Sequence, residues 1–123
     1  MQKILVIDDD LDIGLVIKSL FEYKGYEVSL LKSPDQAEEI LRNNKIDLVI
    51  IDMLLSGANG IDYIAGFNND TIAHIPVMMM SAHPDGEKIC LQAGADDYIS
   101  KPFDMQDILS KSNDLINKNS NIR

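Results

Sequence analysis

The sequence predicts an α/β fold, a doubly wound parallel sheet built from five βα units, on three observations. Short apolar runs rich in β-branched residues alternate with segments of helical periodicity along the whole chain. Gly and Pro punctuate the junctions, at Gly25, Pro34, Pro84, Gly94 and Pro102. The length of 123 residues suits one domain with one sheet and leaves no room for a second full core.

The elements follow in order. Ile4 to Ile7 is a continuous apolar run, the pattern of a strand buried on both faces. Ile13, Val16, Ile17, Leu20 and Phe21 recur at helical spacing, and Gly25 is placed to stop that helix. Glu27 to Leu31 reads as the second strand. Ser33-Pro34-Asp35-Gln36 then offers an N-cap, a Pro at the first helical position and a capping-box Gln, for a helix to about Asn43 that buries Ala37, Ile40 and Leu41. The third strand spans Ile46 to Ile51 and ends at Asp52. Ser56 to Gly60 is loop, and Ile61 to about Phe67 is a third helix. Pro76 to Met80 is a fourth strand ending at Ser81. Pro84 and Asp85 open a fourth helix, which Gly94 terminates. Tyr98 to Ser100 is a short fifth strand ending at Lys101-Pro102. Asp104 caps a fifth helix that carries Met105, Ile108, Leu109, Ser112, Leu115 and Ile116 on one face. The polar segment from Asn117 is a frayed end or the start of a linker, so residues 1–117 are expected to form the domain and 118–123 the tail.

Composition narrows the function classes. Hydrophobic residues make up 46% and charged residues 25%, an ordinary globular mix. The net charge of −9 and the lack of a basic run argue against direct nucleic-acid binding and for protein or cation partners. The apolar run after Lys3 stops at Asp8, too early for a signal peptide, and no stretch approaches the roughly 20 residues of a membrane span. A cytoplasmic location is expected, with the single Cys90 a buried, reduced thiol.

In an open parallel sheet, ligands sit beyond the carboxyl ends of the strands. Those ends carry Asp8-Asp9-Asp10, Asp52, Ser81 and Lys101. Taken singly, each has a bland reading: Asp10 as an N-cap, Asp52 as a turn residue, Ser81 as a loop hydroxyl, Lys101 as a solvated charge. Gathered at one edge they favour a functional site. Two carboxylates ~4 Å apart repel by about 1 kcal/mol in water and several-fold more near a protein surface. Clustering Asp8, Asp9 and Asp52 therefore calls for a cation, and a small all-oxygen donor set suits Mg²⁺. A carboxylate beside Mg²⁺ and a Lys is a plausible nucleophile toward a phosphoryl group.

Three stretches make the reading specific: Ile4-Leu5-Val6-Ile7-Asp8-Asp9-Asp10, Asp47-Leu48-Val49-Ile50-Ile51-Asp52-Met53-Leu54-Leu55, and Ala93-Gly94-Ala95-Asp96-Asp97-Tyr98-Ile99-Ser100-Lys101-Pro102-Phe103. In order and spacing they resemble the signature stretches of receiver domains of two-component response regulators, from Lys3 to about Ile116. The resemblance implies a flavodoxin-like fold with strand order 2-1-3-4-5. It implies Asp52 as phosphoacceptor, charged by a histidine kinase or phosphotransfer protein. Asp9, Asp52 and the backbone carbonyl of Leu54 resemble the direct Mg²⁺ ligands, with Asp8 acting largely through water. Lys101 resembles the lysine that pairs with the phosphoryl group, Ser81 the switch hydroxyl, Ala82 the residue whose amide helps hold the phosphoryl oxygens, and Tyr98 the aromatic that moves inward with Ser81. The bond before Pro102 is a candidate cis peptide. The face of the fourth helix, fifth strand and fifth helix would change its affinity for a downstream effector or output domain, or for a second copy of the chain in a phosphorylation-dependent homodimer. Such a domain catalyses only its own phosphorylation and dephosphorylation.

Two departures stand out: Ser56 where the family usually carries Pro, and Asn59 where an Asp often precedes Gly60. Both touch loop stiffness more than chemistry. Apolar Leu54 is expected to slow loss of the phosphoryl group by leaving the hydrolytic water unoriented, while His74 and His83 read as loop residues. Other readings fail on residues. An EF-hand at Asp8-x-Asp10-x-Asp12 would need Gly at Ile13 and Glu at Ser19. Phosphate-cradling glycine loops and a nucleophile elbow are missing. An aspartate-nucleophile phosphatase would pair two Asp at alternate positions within a loop that Asp8-Asp9-Asp10-Leu11 does not match. A degenerate receiver, acting as an unmodified interaction module, would not need Asp8, Asp9, Asp52, Ser81 and Lys101 intact.

Overall fold

The computed structural model describes residues 2–55, 58–60 and 75–122. Five strands form one sheet: β1 (Lys3–Ile7), β2 (Glu27–Leu31), β3 (Leu48–Asp52), β4 (Val77–Ser81) and β5 (Asp97–Ser100). Every pairing in it is parallel, in the order β2-β1-β3-β4-β5, the flavodoxin-like order expected from the sequence. The described helices are α1 (Leu11–Tyr23), α2 (Ala37–Asn43), α3 (Gly86–Gln92) and α4 (Met105–Ile122). The last two are the fourth and fifth helices of the sequence reading; the expected third helix, Ile61 to about Phe67, lies outside the described residues. Leu54–Leu55 pairs antiparallel with Ala58–Asn59 in the segment read as loop.

The strands are apolar on both faces because helices cover both. Alternate side chains of β1, β3 and β4 enter two separate cores. Ile4, Val6, Leu48, Ile50, Met78 and Met80 pack with Ile17 and Phe21 of α1 and Ile108 and Ile116 of α4. Leu5, Ile7, Val49, Ile51 and Met79 pack with Ala37 and Leu41 of α2 and Cys90 of α3. Among the described residues, α1 and α4 cover one face and α2 and α3 the other, and the strand ends are left for a ligand.

Local signals set the element ends. The Asp10 carboxylate accepts from the amides of Asp12 and Ile13 and caps α1. Gly25 and Gly94 take positive φ, 97° and 108°, immediately after α1 and α3, the left-handed backbone that favours glycine. Ser33 caps a single 3-10 turn, Pro34–Gln36, from which α2 starts. Asp104 caps α4 by accepting from the Gln106 amide at 2.7 Å.

Strand ends shift by a residue at β1, β4 and β5, and three further differences from the sequence reading have a physical reason. β3 starts at Leu48 rather than Ile46, because Asp47 turns its carboxylate onto the Lys3 amide (2.8 Å). Asp85 makes no side-chain cap on α3; its amide instead donates to His83 Nδ1 at 2.9 Å. α4 runs on through Asn117 to Ile122, where the sequence supplies neither Gly nor Pro to stop it.

Candidate functional site

The parallel register aligns the carboxyl ends of β1, β3, β4 and β5, and the charged residues the sequence places there converge. Asp8 directly follows β1 and is fully buried. Its Oδ1 accepts from the Asp10 amide at 2.9 Å, and its Oδ2 accepts from Lys101 Nζ at 3.2 Å. Asp52, the last residue of β3, is 8% exposed; its Oδ2 accepts from Lys101 Nζ at 2.7 Å and its Oδ1 from the Leu54 amide at 3.2 Å. Asp9 is exposed at the mouth, and carboxylate oxygens of Asp8, Asp9 and Asp52 lie within 4.8 Å of one another.

Burying these charges has a cost that falls on their protonation equilibria. Burial raises the Asp8 pKa, helped by the Asp52 charge, while the Asp10 amide and Lys101 pull it down without cancelling the rise. Burial alone would lower the pKa of the Lys101 ammonium, but hydrogen bonds and charge from Asp52 and Asp8 outweigh it and leave it raised. One ammonium thus faces two carboxylates, with a third close by.

The β4 side is neutral. Ser81 is 2% exposed and its Oγ accepts from the His83 amide at 2.9 Å. Its carbonyl accepts from the Lys101 amide at 2.9 Å and from Tyr98 Oη at 2.9 Å. Tyr98 lies inward from β5, and burial raises the pKa of its phenol. Ala82 is exposed at the same edge and, with Ile13, Lys101, Pro102 and Phe103, lines a cleft of about 390 Å³. The Lys101–Pro102 peptide is cis.

Asp8, Asp9, Asp52, Leu54, Ser81, Ala82, Tyr98 and Lys101 therefore all stand on or beside this edge. His74 lies outside the described residues. Sequence reasoning treated two supporting residues as loop. His83 provides both the amide on Ser81 Oγ and the ring nitrogen under the Asp85 amide. Gly60 donates its amide to the Met53 carbonyl at 2.8 Å, and a Cβ there would collide with the Asp52 carbonyl oxygen. The only sequence signal for Gly60 is its residue type, since close backbone approach calls for glycine.

Known proteins resemble this chain in sequence and fold. Residues 4–113 match the model of the response regulator receiver domain family. The DNA-binding response regulator MtrA of Mycolicibacterium paratuberculosis is 31% identical over 120 residues, covering 96% of this chain and 52% of the relative. The response regulator SaeR of Staphylococcus aureus is 30% identical with the same coverages. The chain thus spans about half the length of the curated relatives it matches. Among solved structures, a response regulator receiver domain protein from Clostridium thermocellum superposes with a TM-score of 0.89 at 31% identity, covering all of both chains. A CheY-like receiver domain protein from Methanospirillum hungatei has the same fold, with a TM-score of 0.90 at 24% identity over 100% of this chain and 99% of that one. An acidic pocket at the carboxyl edge of a 2-1-3-4-5 sheet, with a family match across most of its length, identifies the chain as a member of the response regulator receiver domain family, a signalling domain of two-component systems.

Proposed function

We propose that this receiver domain accepts a phosphoryl group on Asp52 from a histidine kinase or phosphotransfer protein, in a Mg²⁺-dependent step, and signals through its α3-β5-α4 face. The observation that carries the reading is the Asp52 carboxylate held 2.7 Å from an ammonium, beside two further carboxylates, at the open end of the central strand. Residues 1–117 act as the switch, with 118–123 the tail or the start of a linker. The working location is the cytoplasm, where such donors are found.

The donor set fits Mg²⁺: hard carboxylate oxygens from Asp8, Asp9 and Asp52, close enough to share one ion and negative enough to need it. Asp9, Asp52 and the Leu54 carbonyl would hold the ion directly and Asp8 through water. Bound there, Mg²⁺ supplies positive charge to the oxygens of the transferring group.

The chain's own residues do the rest. An Asp52 carboxylate oxygen attacks phosphorus as the P–N bond of the donor phosphohistidine breaks; the ring, protonated on its other nitrogen, leaves as neutral imidazole and Asp52 becomes an acyl phosphate. Lys101 turns its ammonium from the carboxylates toward the new phosphoryl oxygens. Ser81 Oγ–H and the Ala82 amide donate to the remaining oxygens. The added charge draws Ser81 toward Asp52, and Tyr98, bonded to the Ser81 carbonyl, carries that movement to the α3-β5-α4 face. A downstream effector, an output domain or a second copy of the chain reads the change. Beyond forming and losing its own acyl phosphate, the domain turns over no separate substrate.

Intact-mass spectrometry after incubation with acetyl phosphate tests the proposal. The expected result is a single phosphoryl adduct that requires Mg²⁺ and is absent from Asp52→Asn. No adduct on the native chain makes the domain an unmodified interaction module. An adduct that survives Asp52→Asn moves the acceptor elsewhere.

A further inference from the structure

Gly86, the first residue of α3, is buried, and its backbone does not take the positive φ that would call for glycine. Inside a helix, glycine is disfavoured against alanine by up to roughly five-fold in the folding equilibrium, and by less at a first position such as that of Gly86. A residue that costs helix stability without serving a turn needs another reason, and its surroundings provide one. A Cβ built at Gly86 would lie 2.6 Å from Tyr98 Oη, 3.0 Å from Tyr98 Cε1 and 3.1 Å from Ser81 Cβ. Real Cβ atoms do not approach other heavy atoms at the first of these distances. The Tyr98 ring therefore occupies the space a side chain at position 86 would fill. It is held there between bare helix backbone and the Ser81 carbonyl, which its hydroxyl reaches at 2.9 Å. Ser81 Cβ is fixed by its strand, so the ring is the group that must yield.

We infer that Gly86 is a positioning residue for the switch: its missing side chain is the clearance that lets Tyr98 lie inward against Ser81. A larger residue drives the ring toward solvent and separates the α3-β5-α4 face from events at Asp52. The inference deepens the proposed function, because it rests on the reading of Ser81 and Tyr98 as the switch pair. The atoms nearest a Cβ at Gly86 belong to Tyr98 and Ser81, so its role is confined to coupling.

The full chain labelled with 3-fluorotyrosine gives a direct test by ¹⁹F NMR with a soluble gadolinium quencher. The chain has four tyrosines, and Tyr98→Phe and Tyr23→Phe assign the two signals of interest. In the native chain the Tyr98 signal is shielded, at 7% exposure, while Tyr23, at 86%, is quenched readily. Gly86→Ala is expected to raise quenching of Tyr98 several-fold toward that of Tyr23. A folded Gly86→Ala chain whose Tyr98 stays shielded overturns the inference. Where Gly86→Ala fails to fold, stability in a second background decides. With Tyr98→Ala already present, adding Gly86→Ala should favour folding by up to roughly five-fold, the intrinsic helix preference, instead of opposing it. If it opposes folding equally with and without the ring, Gly86 is not there for Tyr98. Failure of the phosphoacceptor reading is separate: it is a missing acetyl phosphate adduct on the native chain, whatever the Tyr98 signal does.

Discussion

One half of the site, Asp8, Asp52 and Lys101, is held by charge, with Lys101 Nζ 3.2 Å and 2.7 Å from the two carboxylates. The other half, Ser81, Tyr98 and Gly86, is held by neutral hydrogen bonds of 2.9 Å, from Tyr98 Oη and the Lys101 amide to the Ser81 carbonyl and from the His83 amide to Ser81 Oγ, and by close fit. The two halves lie on adjacent strand ends of the same sheet yet differ in how firmly they are fixed. Breaking a buried ion pair by removing one partner costs about 3–5 kcal/mol, whereas a neutral hydrogen bond contributes about 1 kcal/mol net. The charged half therefore holds together until a phosphoryl group offers Lys101 new oxygens in exchange for the carboxylates. The neutral half can be moved by any event worth a few kcal/mol, which a new phosphoryl charge with its hydrogen bonds supplies. The difference teaches a division of labour: chemistry belongs to the part held by strong charge pairs, and signalling to the part that moves more cheaply.

The largest effect that could break this comparison is expected at Lys101. Lys101→Ala leaves the fully buried Asp8 without its ammonium and should destabilise the chain by about 3 kcal/mol in denaturant melts, at the lower end of the range because Lys101 keeps some exposure. The same variant should slow acetyl phosphate labelling by about 100-fold, the scale for loss of one charged transition-state contact. Unchanged stability would mean that charge does not hold this half together.

The next effect sharpens the comparison from behind the site. Cys90 is fully buried on α3, and burial, with the Asp52 charge as a lesser cause, pushes its thiol from 9.0 up to about 11. The folded value lies above the unfolded one, so the thiol's contribution to stability is fully present below pH 9.0 and is lost as pH rises through about 11. The loss is at most about 3 kcal/mol. Denaturant melts across that window should fall more steeply for the native chain than for Cys90→Ala. Equal slopes would show that the thiol does not feel its surroundings.

The smallest effect is expected outside both halves. Asp10→Ala removes the α1 cap and should cost about 1 kcal/mol of stability while leaving phosphoryl labelling unchanged. A matching loss of labelling would mean that Asp10 belongs to the acidic site rather than to the helix.

The charged half was legible in the sequence because each member directly follows a segment read as a strand: Asp8 after Ile4–Ile7, Asp52 after Ile46–Ile51, Lys101 after Tyr98–Ser100. Burial of a strand on both faces and placement of its terminal polar residue are one pattern, readable locally. The fit of Tyr98 against Gly86 was not legible, because it depends on the distance between α3 and β5 and not on either segment alone. For the same reason His83 read as loop, though it supplies the amide on Ser81 Oγ and the acceptor for Asp85. Caps with one local partner, such as Asp10 and Asp104, were readable; Asp85, which competes with a neighbouring imidazole, was not. The end of α4 escaped for a simpler reason, since the residues after Ile116 hold no stop signal and the helix continues.

Borohydride trapping followed by peptide sequencing in the mass spectrometer tests the central claim most directly, because hydride reduces an aspartyl phosphate to homoserine and marks the acceptor without any substitution. After treatment of the native chain with acetyl phosphate and Mg²⁺, homoserine is expected at position 52 and nowhere else. Homoserine at position 8 or 9, or an unreduced chain that nevertheless carries the phosphoryl mass, would contradict the account.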